Sequence, residues 1–383
     1  MKVMTILGTR PEIIRLSRVM ARLDETLDHV IVHTGQNFDH ELNQVFYDDL
    51  ELRPPDHYLG VDTSSVGKAY GQILMGAEEV ILQEQPEAVL ILGDTNSSIS
   101  AIVARRLHVP VFHMEAGNRS FDLEVPEETN RRIIDHTADF NLAYTEHARR
   151  NLIAEGIDPR TVYVTGSPMG EVIHHYDSKV QASTVQATMG IQAGAYIVAS
   201  LHREENVDDP GLLSALLNAL GEIAERHDVQ VVMSTHPRTR ERLVEHPVVA
   251  PELMARISFH PPFGFTDFIR LQIDALGVIS DSGTISEESA ILGFPAITPR
   301  NAMERPEAMD AGTIILSGTE PQRIVQAFDQ MIAQHEATGP LPPPQDYVST
   351  NCSSRVVNLI LGLTGLASRW RGLPEPRWGR SLQ

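Results

Sequence analysis

Short apolar runs recur along the chain, each closed by a turn and followed by a stretch whose apolar positions fall three and four apart. Lys2 to Leu7 reads as a buried strand, Gly8-Thr-Arg-Pro-Glu12 as a turn, and Ile13 to Leu23 as one face of a helix. Glycine after a strand and proline in the first helical turn mark a strand–turn–helix unit. The same pattern predicts strands at 29–33, 88–92, 109–114, 140–143 and 162–164, with helices at 65–85, 97–107 and about 127–136. It restarts in the second half, with strands at 196–200, 230–234, 275–280, 295–298 and 313–316, a helix at 212–227 and another after residue 281. A final helix is expected at 355–366, beyond the proline-rich Pro340-Leu-Pro-Pro-Pro344. Strands alternating with helices predict parallel, doubly wound sheets.

Two such halves imply two Rossmann-like domains facing a central cleft. The expected divisions are a first domain over 1–168 and a second over 169–348. A helix within 349–366 returns to the first domain, and 367–383 is a tail read as a mobile extension. The length of 383 residues suits two domains, and the 42% hydrophobic content suits chains that bury real cores. Cys352 is the single cysteine, so no internal disulfide can form and a reducing compartment is expected. The opening apolar run is too short for a secretory leader, and no stretch approaches the roughly 18 apolar residues of a membrane span. A cytoplasmic location follows as an expectation. The net charge of -20 argues against a nucleic-acid or anionic-membrane partner. It leaves room for an anionic small molecule bound by local arginines and helix N-termini.

The chemistry-bearing residues cluster where strands end. Asp94 follows the 88–92 run, Glu115 follows 109–114, and Glu127 opens the next helix, giving three candidate acid/base carboxylates. Glu128 pairs more naturally with Arg131 or Arg132 along its helix. His202 with Arg203, and His236 with Arg238, each follow a strand of the second half as candidate ligand contacts. Gly8-Thr-Arg-Pro and Ser282-Gly-Thr-Ile-Ser each end a strand and open a helix, which favours a phosphate. Together they suggest a diphosphate held across the cleft. Arg10, Arg15, Arg119, Arg238 and Arg305 are candidate cations for it. Neither glycine turn is a dinucleotide fingerprint or a Walker A loop. No cofactor is expected. Metal binding is not expected either, because the His113-Met-Glu115 spacing lacks the cysteine pair of the zinc deaminases.

Taken in order, Gly8-Thr-Arg-Pro-Glu, Gly93-Asp-Thr, Glu115-Ala-Gly, Pro126-Glu-Glu with Asn130-Arg131, His202-Arg-Glu, Asp281-Ser-Gly with Glu287-Glu288, and Glu304-Arg-Pro-Glu with Ala311-Gly-Thr resemble the non-hydrolysing UDP-N-acetylglucosamine 2-epimerases. The resemblance runs from Met4 to about Leu363. It implies the GT-B fold, a homodimer and a UDP-sugar substrate. Further stretches are similar to the UDP-N-acetyl-L-fucosamine synthase branch, which epimerises C2 of UDP-2-acetamido-2,6-dideoxy-L-talose in capsule and O-antigen synthesis. These are Arg10-Pro-Glu-Ile-Ile-Arg-Leu-Ser17, His33-Thr-Gly-Gln-Asn37, Pro54-Pro-Asp-His-Tyr-Leu59, Gly93-Asp-Thr-Asn-Ser97, Gly117-Asn-Arg with Phe121-Asp, Ser234-Thr-His-Pro-Arg238 and Pro262-Phe-Gly-Phe265.

The C2 proton of an acetamido sugar is not next to a carbonyl, so direct deprotonation leaves an unstabilised carbanion. Expelling UDP from C1 while a base takes the C2 proton gives a glycal. Re-addition of UDP, with proton delivery to the opposite face, inverts C2. By the resemblance Asp94, Glu115 and Glu127 match the acid/base carboxylates, and His202 the histidine linked to UDP departure. Arg10, Ser282, Gly283 and Glu288 match nucleotide-binding positions, and Arg305 an arginine near the sugar phosphate. Thr284, His236, Arg238 and Arg15 complete the expected binding set. Arg15 stands where the main family has lysine, which hints at a different sugar. Gln36-Asn-Phe38 departs from the segment that binds a regulatory UDP-sugar in some members. The alternatives are plain UDP-N-acetylglucosamine 2-epimerase activity, action on a diacetamido uronic acid, a GT-B glycosyltransferase, and a UDP-sugar sensor.

Overall fold

The structure is a computed structural model that describes residues 1–36, 47, 49–122, 125–245, 249–376 and 378. Among these residues the strands form two sheets. The first holds β1 (Lys2–Leu7), β2 (Asp28–His33), β3 (His57–Tyr58), β4 (Ala88–Leu92), β5 (Val111–Met114), β6 (Phe140–Ala143) and β7 (Val162–Val164). The second holds β8 (Tyr196–Ser200), β9 (Gln230–Ser234), β10 (Ile257–His260), β11 (Val278–Ser280), β12 (Ala296–Thr298) and β13 (Ile314–Leu316). Every pairing is parallel. Helices cover both faces of such sheets, which is why β4 is apolar and buried at every position and β5 is buried throughout.

The strand orders are β3-β2-β1-β4-β5-β6-β7 and β10-β9-β8-β11-β12-β13. Each sheet therefore reverses its direction of growth once, between β1 and β4 in the first and between β8 and β11 in the second. Ligands of open α/β sheets bind outside the C-terminal strand ends at these reversals.

The chain divides into two compact units, Met1–His175 with Asp346–Gln383, and Tyr176–Gln345. The division falls inside the helix Pro168–Ala182, rather than ahead of it at 168, and the chain returns at 346 rather than 349. The physical reason is local packing. The Ser167 amide donates to the Asp346 carbonyl at 2.9 Å. A Cβ on Gly170 would lie 2.5 Å from the Tyr347 carbonyl, so only glycine lets the returning strand of chain lie there. The helix Cys352–Leu363 then packs on Arg10–Thr26 in the first unit.

The described part of the tail, expected as a mobile extension, packs on the first unit. Ala367–Arg371 is helical, Leu373 is buried, and Trp378 packs on the core around β4 and β5. His108 Nδ1 donates to the Glu375 carbonyl at 3.2 Å. Apolar side chains placed among polar ones drive this docking, and their irregular spacing hides it from a periodicity reading. The helix Pro321–Thr338 was also unforeseen. Its Ile324, Val325, Phe328, Met331 and Ile332 line the core of the second unit at helical spacing. β3 and β10 have a different reason: both are short edge strands, and both residues of β3 and three of the four of β10 are exposed or partly so.

Candidate functional site

In the first unit β1 and β4 end side by side at the reversal, with β5 next to β4. Asp94 follows β4 by two residues and Glu115 follows β5 by one. Glu115 adopts φ +64, and an added Cβ on Gly93 would stand 3.5 Å from Glu115 Oε2. The Glu115 carboxylate therefore borders the residue that precedes Asp94. A non-glycine residue in the left-handed region costs about 1–3 kcal/mol and persists only where its surroundings over-determine it. Glu115 is 3% exposed. Arg15 Nη1, reaching in from the helix Arg10–Thr26, donates to Glu115 Oε2, and Asn118 Nδ2 lies 3.4 Å from Oε1. Arg15, expected to hold ligand, thus holds the candidate base. Arg131 Nη2 does the same for Asp94 Oδ2 from the helix Pro126–Thr137. Asn130 Nδ2 donates to the Asp94 carbonyl at 3.0 Å.

Glu127 lies exposed in the first turn of the Pro126–Thr137 helix. Its neighbour Glu128 is fully buried and accepts from Ser120 N and Oγ, both at 3.1 Å, and from Arg131 and Arg132. That is the scaffold role read from the sequence. Arg10 opens the Arg10–Thr26 helix, part-buried at its N-terminus. Arg119 does not join the candidate cations. Its side chain has no exposed surface and is spent on Asp135 at 2.7 Å and Glu155 at 2.6 Å.

One carboxylate here escaped the sequence reading. Glu12, 1% exposed, takes the Gly8 amide at 3.0 Å, the Thr9 hydroxyl at 2.8 Å and the Thr95 hydroxyl at 3.1 Å. It ties the turn after β1 to the turn after β4. The Thr9-Arg-Pro-Glu12 spacing of a capping box was the available signal. Burial raises its pKa to about 7, against the pull of those hydrogen bonds. The folded protein then keeps a proton that the unfolded chain loses above about 4.5. This contribution to stability is highest below that pH and falls as pH rises to about 7. Glu12→Gln, whose amide can donate to Thr95 while its oxygen accepts from Gly8 and Thr9, removes this loss. Urea unfolding at pH 5 and pH 8 is expected to show the variant gaining on the parent by on the order of 2–3 kcal/mol between the two. Parallel curves overturn the assignment.

In the second unit β8 and β11 end side by side at the reversal. Asp281, fully buried after β11, accepts from the His202 and Arg203 amides at 3.0 and 3.1 Å and from Asn206 Nδ2 at 3.0 Å. His202 Nδ1 lies 2.9 Å from Asp281 Oδ1, and the ring is 39% exposed. Burial would push the Asp281 carboxyl up, but the His202 charge and these donors hold it at about 2. A carboxylate on Nδ1 fixes the ring orientation and leaves Nε2 for a ligand. The His236 ring stands 6.3 Å from that of His202, centroid to centroid. Arg238 begins the helix Pro237–Glu245, and its side chain lies outside the described residues.

Ser282 and Thr284 lead into the helix Ile285–Leu292, with their hydroxyls 3.0 Å apart. Arg305 Nη1 donates to the Gly283 carbonyl and lies 3.4 Å from Glu287. It is 5% exposed, so it braces the Ser282–Thr284 turn. Glu288 is buried and accepts from Gln272 at 2.8 Å. Behind them Arg300 and Glu304 pair at 2.7 Å, and Glu304 meets Arg203 at 3.3 Å. Asn37, Phe38 and Glu124 lie outside the described residues. Among the described residues no cluster of three or more His, Cys, Asp or Glu is placed to hold a metal ion. Nor is any helix among them long and apolar enough to cross a membrane.

Two parallel, doubly wound sheets in one chain, with carboxylates at the strand ends of one and a histidine and a glycine turn at those of the other, have the pattern of the GT-B fold, which the solved structures below share. Residues 21–361 match the family described as UDP-N-acetylglucosamine 2-epimerase. A structure titled UDP-N-acetylglucosamine 2-epimerase from Rickettsia bellii is 41% identical, with TM-score 0.89 over 99% of this chain and 100% of that one. The Methanocaldococcus jannaschii UDP-GlcNAc 2-epimerase, solved with UDP-GlcNAc and UDP, is 33% identical with TM-score 0.87 over 94% of this chain and 100% of that one. The UDP-2,3-diacetamido-2,3-dideoxy-D-glucuronate 2-epimerase of Pseudomonas aeruginosa is 37% identical over 336 residues, 85% of this chain and 91% of its own. The chain belongs to the UDP-N-acetylglucosamine 2-epimerase family, the UDP-sugar 2-epimerases, which are isomerases.

Proposed function

We propose that the enzyme inverts C2 of UDP-2-acetamido-2,6-dideoxy-L-talose, giving UDP-N-acetyl-L-fucosamine, by eliminating UDP to a glycal and adding it back. In this reading the Ser282–Thr284 turn and Arg10 bind the nucleotide, and His202 assists departure of the diphosphate. Asp94, Glu115 and Glu127 exchange the C2 proton on the two faces of the sugar. The observation that carries the chemistry is the pair of carboxylates at neighbouring strand ends, each gripped by its own buried arginine. A guanidinium hydrogen-bonded to a carboxylate holds it in one orientation, as proton transfer at one face of a sugar requires. The choice of sugar is supported by the stretches shared with the L-fucosamine branch and by arginine at position 15. The names of the relatives favour a second reading, UDP-N-acetylglucosamine as substrate.

A panel of UDP-sugars in deuterated water, followed by NMR, separates these. The 6-deoxy-L-talo sugar is expected to be epimerised with deuterium at C2, and at least about tenfold faster than UDP-N-acetylglucosamine, a difference of about 1.4 kcal/mol in transition-state binding. Equal or faster turnover of UDP-N-acetylglucosamine or of the diacetamido uronic acid overturns the choice of sugar. Sugar transfer to an acceptor without C2 deuterium overturns the epimerisation.

A further inference from the structure

His113 and Asp135 have no part in the chemistry above, yet both side chains are fully buried directly behind it. His113 lies on β5 two residues before Glu115, and its Nε2 donates to the Gly93 carbonyl at 2.8 Å, one residue before Asp94. Its Nδ1 lies 2.9 Å from Asp135 Oδ1, close but poorly aligned for a hydrogen bond. Asp135 sits near the end of the helix Pro126–Thr137. It takes the Gly117 amide, two residues after Glu115, at 3.2–3.3 Å, and Arg119 Nη1 at 2.7 Å. Gly117 is at φ +84, and a Cβ there would lie 2.3 Å from the Ala148 carbonyl, so this turn has one available path.

The contacts continue into a chain of alternating charge that runs from Asp135 to Asp94. Arg119 meets Glu155 at 2.6 Å, Glu155 meets Arg132 at 3.6 Å, and Arg132 meets Glu128 at 3.0 Å. Glu128 meets Arg131 at 3.3 Å, and Arg131 meets Asp94. One helix, Pro126–Thr137, supplies Glu128, Arg131, Arg132 and Asp135, and it also carries Glu127. This chain thus joins the turn of Asp94, the turn of Glu115 and the helix of Glu127.

We propose that Asp135, with His113, is a positioning group that sets Asp94, Glu115 and Glu127 at the spacing needed to take a proton from one face of C2 and return it to the other. This rests on the carboxylate reading above. A carboxylate held by the Gly117 amide and by Arg119 in the turn after β5, and standing against His113 on β5, cannot shift without moving that turn. A misplacement of about 1 Å in such a constellation costs on the order of 10²-fold in rate.

The test compares Asp135→Asn, His113→Leu and His113→Gln by steady-state kinetics, C2 deuterium uptake and UDP affinity. Glutamine can still donate to the Gly93 carbonyl, whereas leucine cannot. Asp135→Asn and His113→Leu are expected to lower kcat about 30- to 100-fold, with KM and UDP affinity within about threefold, and His113→Gln to recover most of the loss. A structural role alone would lower the amount of active protein without separating Leu from Gln per active site. Should Asp135→Asn fail to fold, the Leu and Gln pair decides. Folded variants with kcat within about threefold of the parent, or equal losses in Leu and Gln, overturn the inference. Asp94→Asn and Glu115→Gln run alongside. If they keep full turnover, the carboxylate reading fails; if they lose it while Asp135→Asn and His113→Leu keep it, only the positioning inference fails.

Discussion

Glu115→Gln is expected to lower turnover about 10³-fold, the usual size of a general acid–base contribution, while UDP affinity stays within about twofold. The same change strips the buried Arg15 of its counter-charge. Arg15 is 7% exposed and Glu115 3%, so about 3 kcal/mol of stability is expected to go with it. The two losses have different cures. Arg15→Met combined with Glu115→Gln removes the stranded charge and recovers most of the stability without recovering turnover. Asp94→Asn gives a contrasting case. The Asp94 side chain is 17% exposed, so turnover falls similarly with a smaller loss of stability. Urea unfolding and single-turnover NMR on the parent and these three variants check this. Turnover restored in the double variant would show that Glu115 acts only as the partner of Arg15.

Asp281→Asn is expected to damage the second unit as severely. Three donors, the His202 and Arg203 amides and Asn206 Nδ2, converge on its carboxylate, and an amide turns one acceptor oxygen into a donor facing them. A loss of about 2–4 kcal/mol follows from hydrogen bonds to a buried charge left unmade. The sign with pH is definite. The folded pKa of about 2 lies below the ordinary 3.8, so the stabilisation is present above 3.8 and drains away as pH falls through about 2. The parent is expected to lose stability steeply over this window and the variant far less. Because Asp281 orients His202, kcat is expected to fall about 10²-fold. Acid unfolding curves of parent and variant that run parallel from pH 5 to pH 2 would falsify the account.

Much of the site was legible because of where parallel strands end. Asp94, Glu115, His202 and Ser282 each follow an apolar run, and parallel sheets bring such ends to one edge. What stayed hidden were pairings over long separations. Arg15 meets Glu115 across 100 residues, Arg131 meets Asp94 across 37, and Arg203 meets Glu304 across 101. A sequence shows that a cation and an anion are present, but spacing along the chain carries no information about pairs made between strands. For that reason Arg15, Arg119 and Arg305 read alike as cations for a phosphate, and only the structure shows the protein partner that each one meets.

The local alternation of apolar runs, turn residues and helix caps determined by itself that there are two doubly wound sheets and which residues stand at their strand ends. Those features depend on the conformational preferences of a few adjacent residues. Only the tertiary structure decided the strand orders, and with them the reversals at β1/β4 and β8/β11. It also decided which carboxylates are buried, that Glu12 titrates near 7 and Asp281 near 2, and that His113 and Asp135 stand behind the site. Burial and charge pairing arise from groups far apart in the chain. Their energies exist only once folding has removed the water between them.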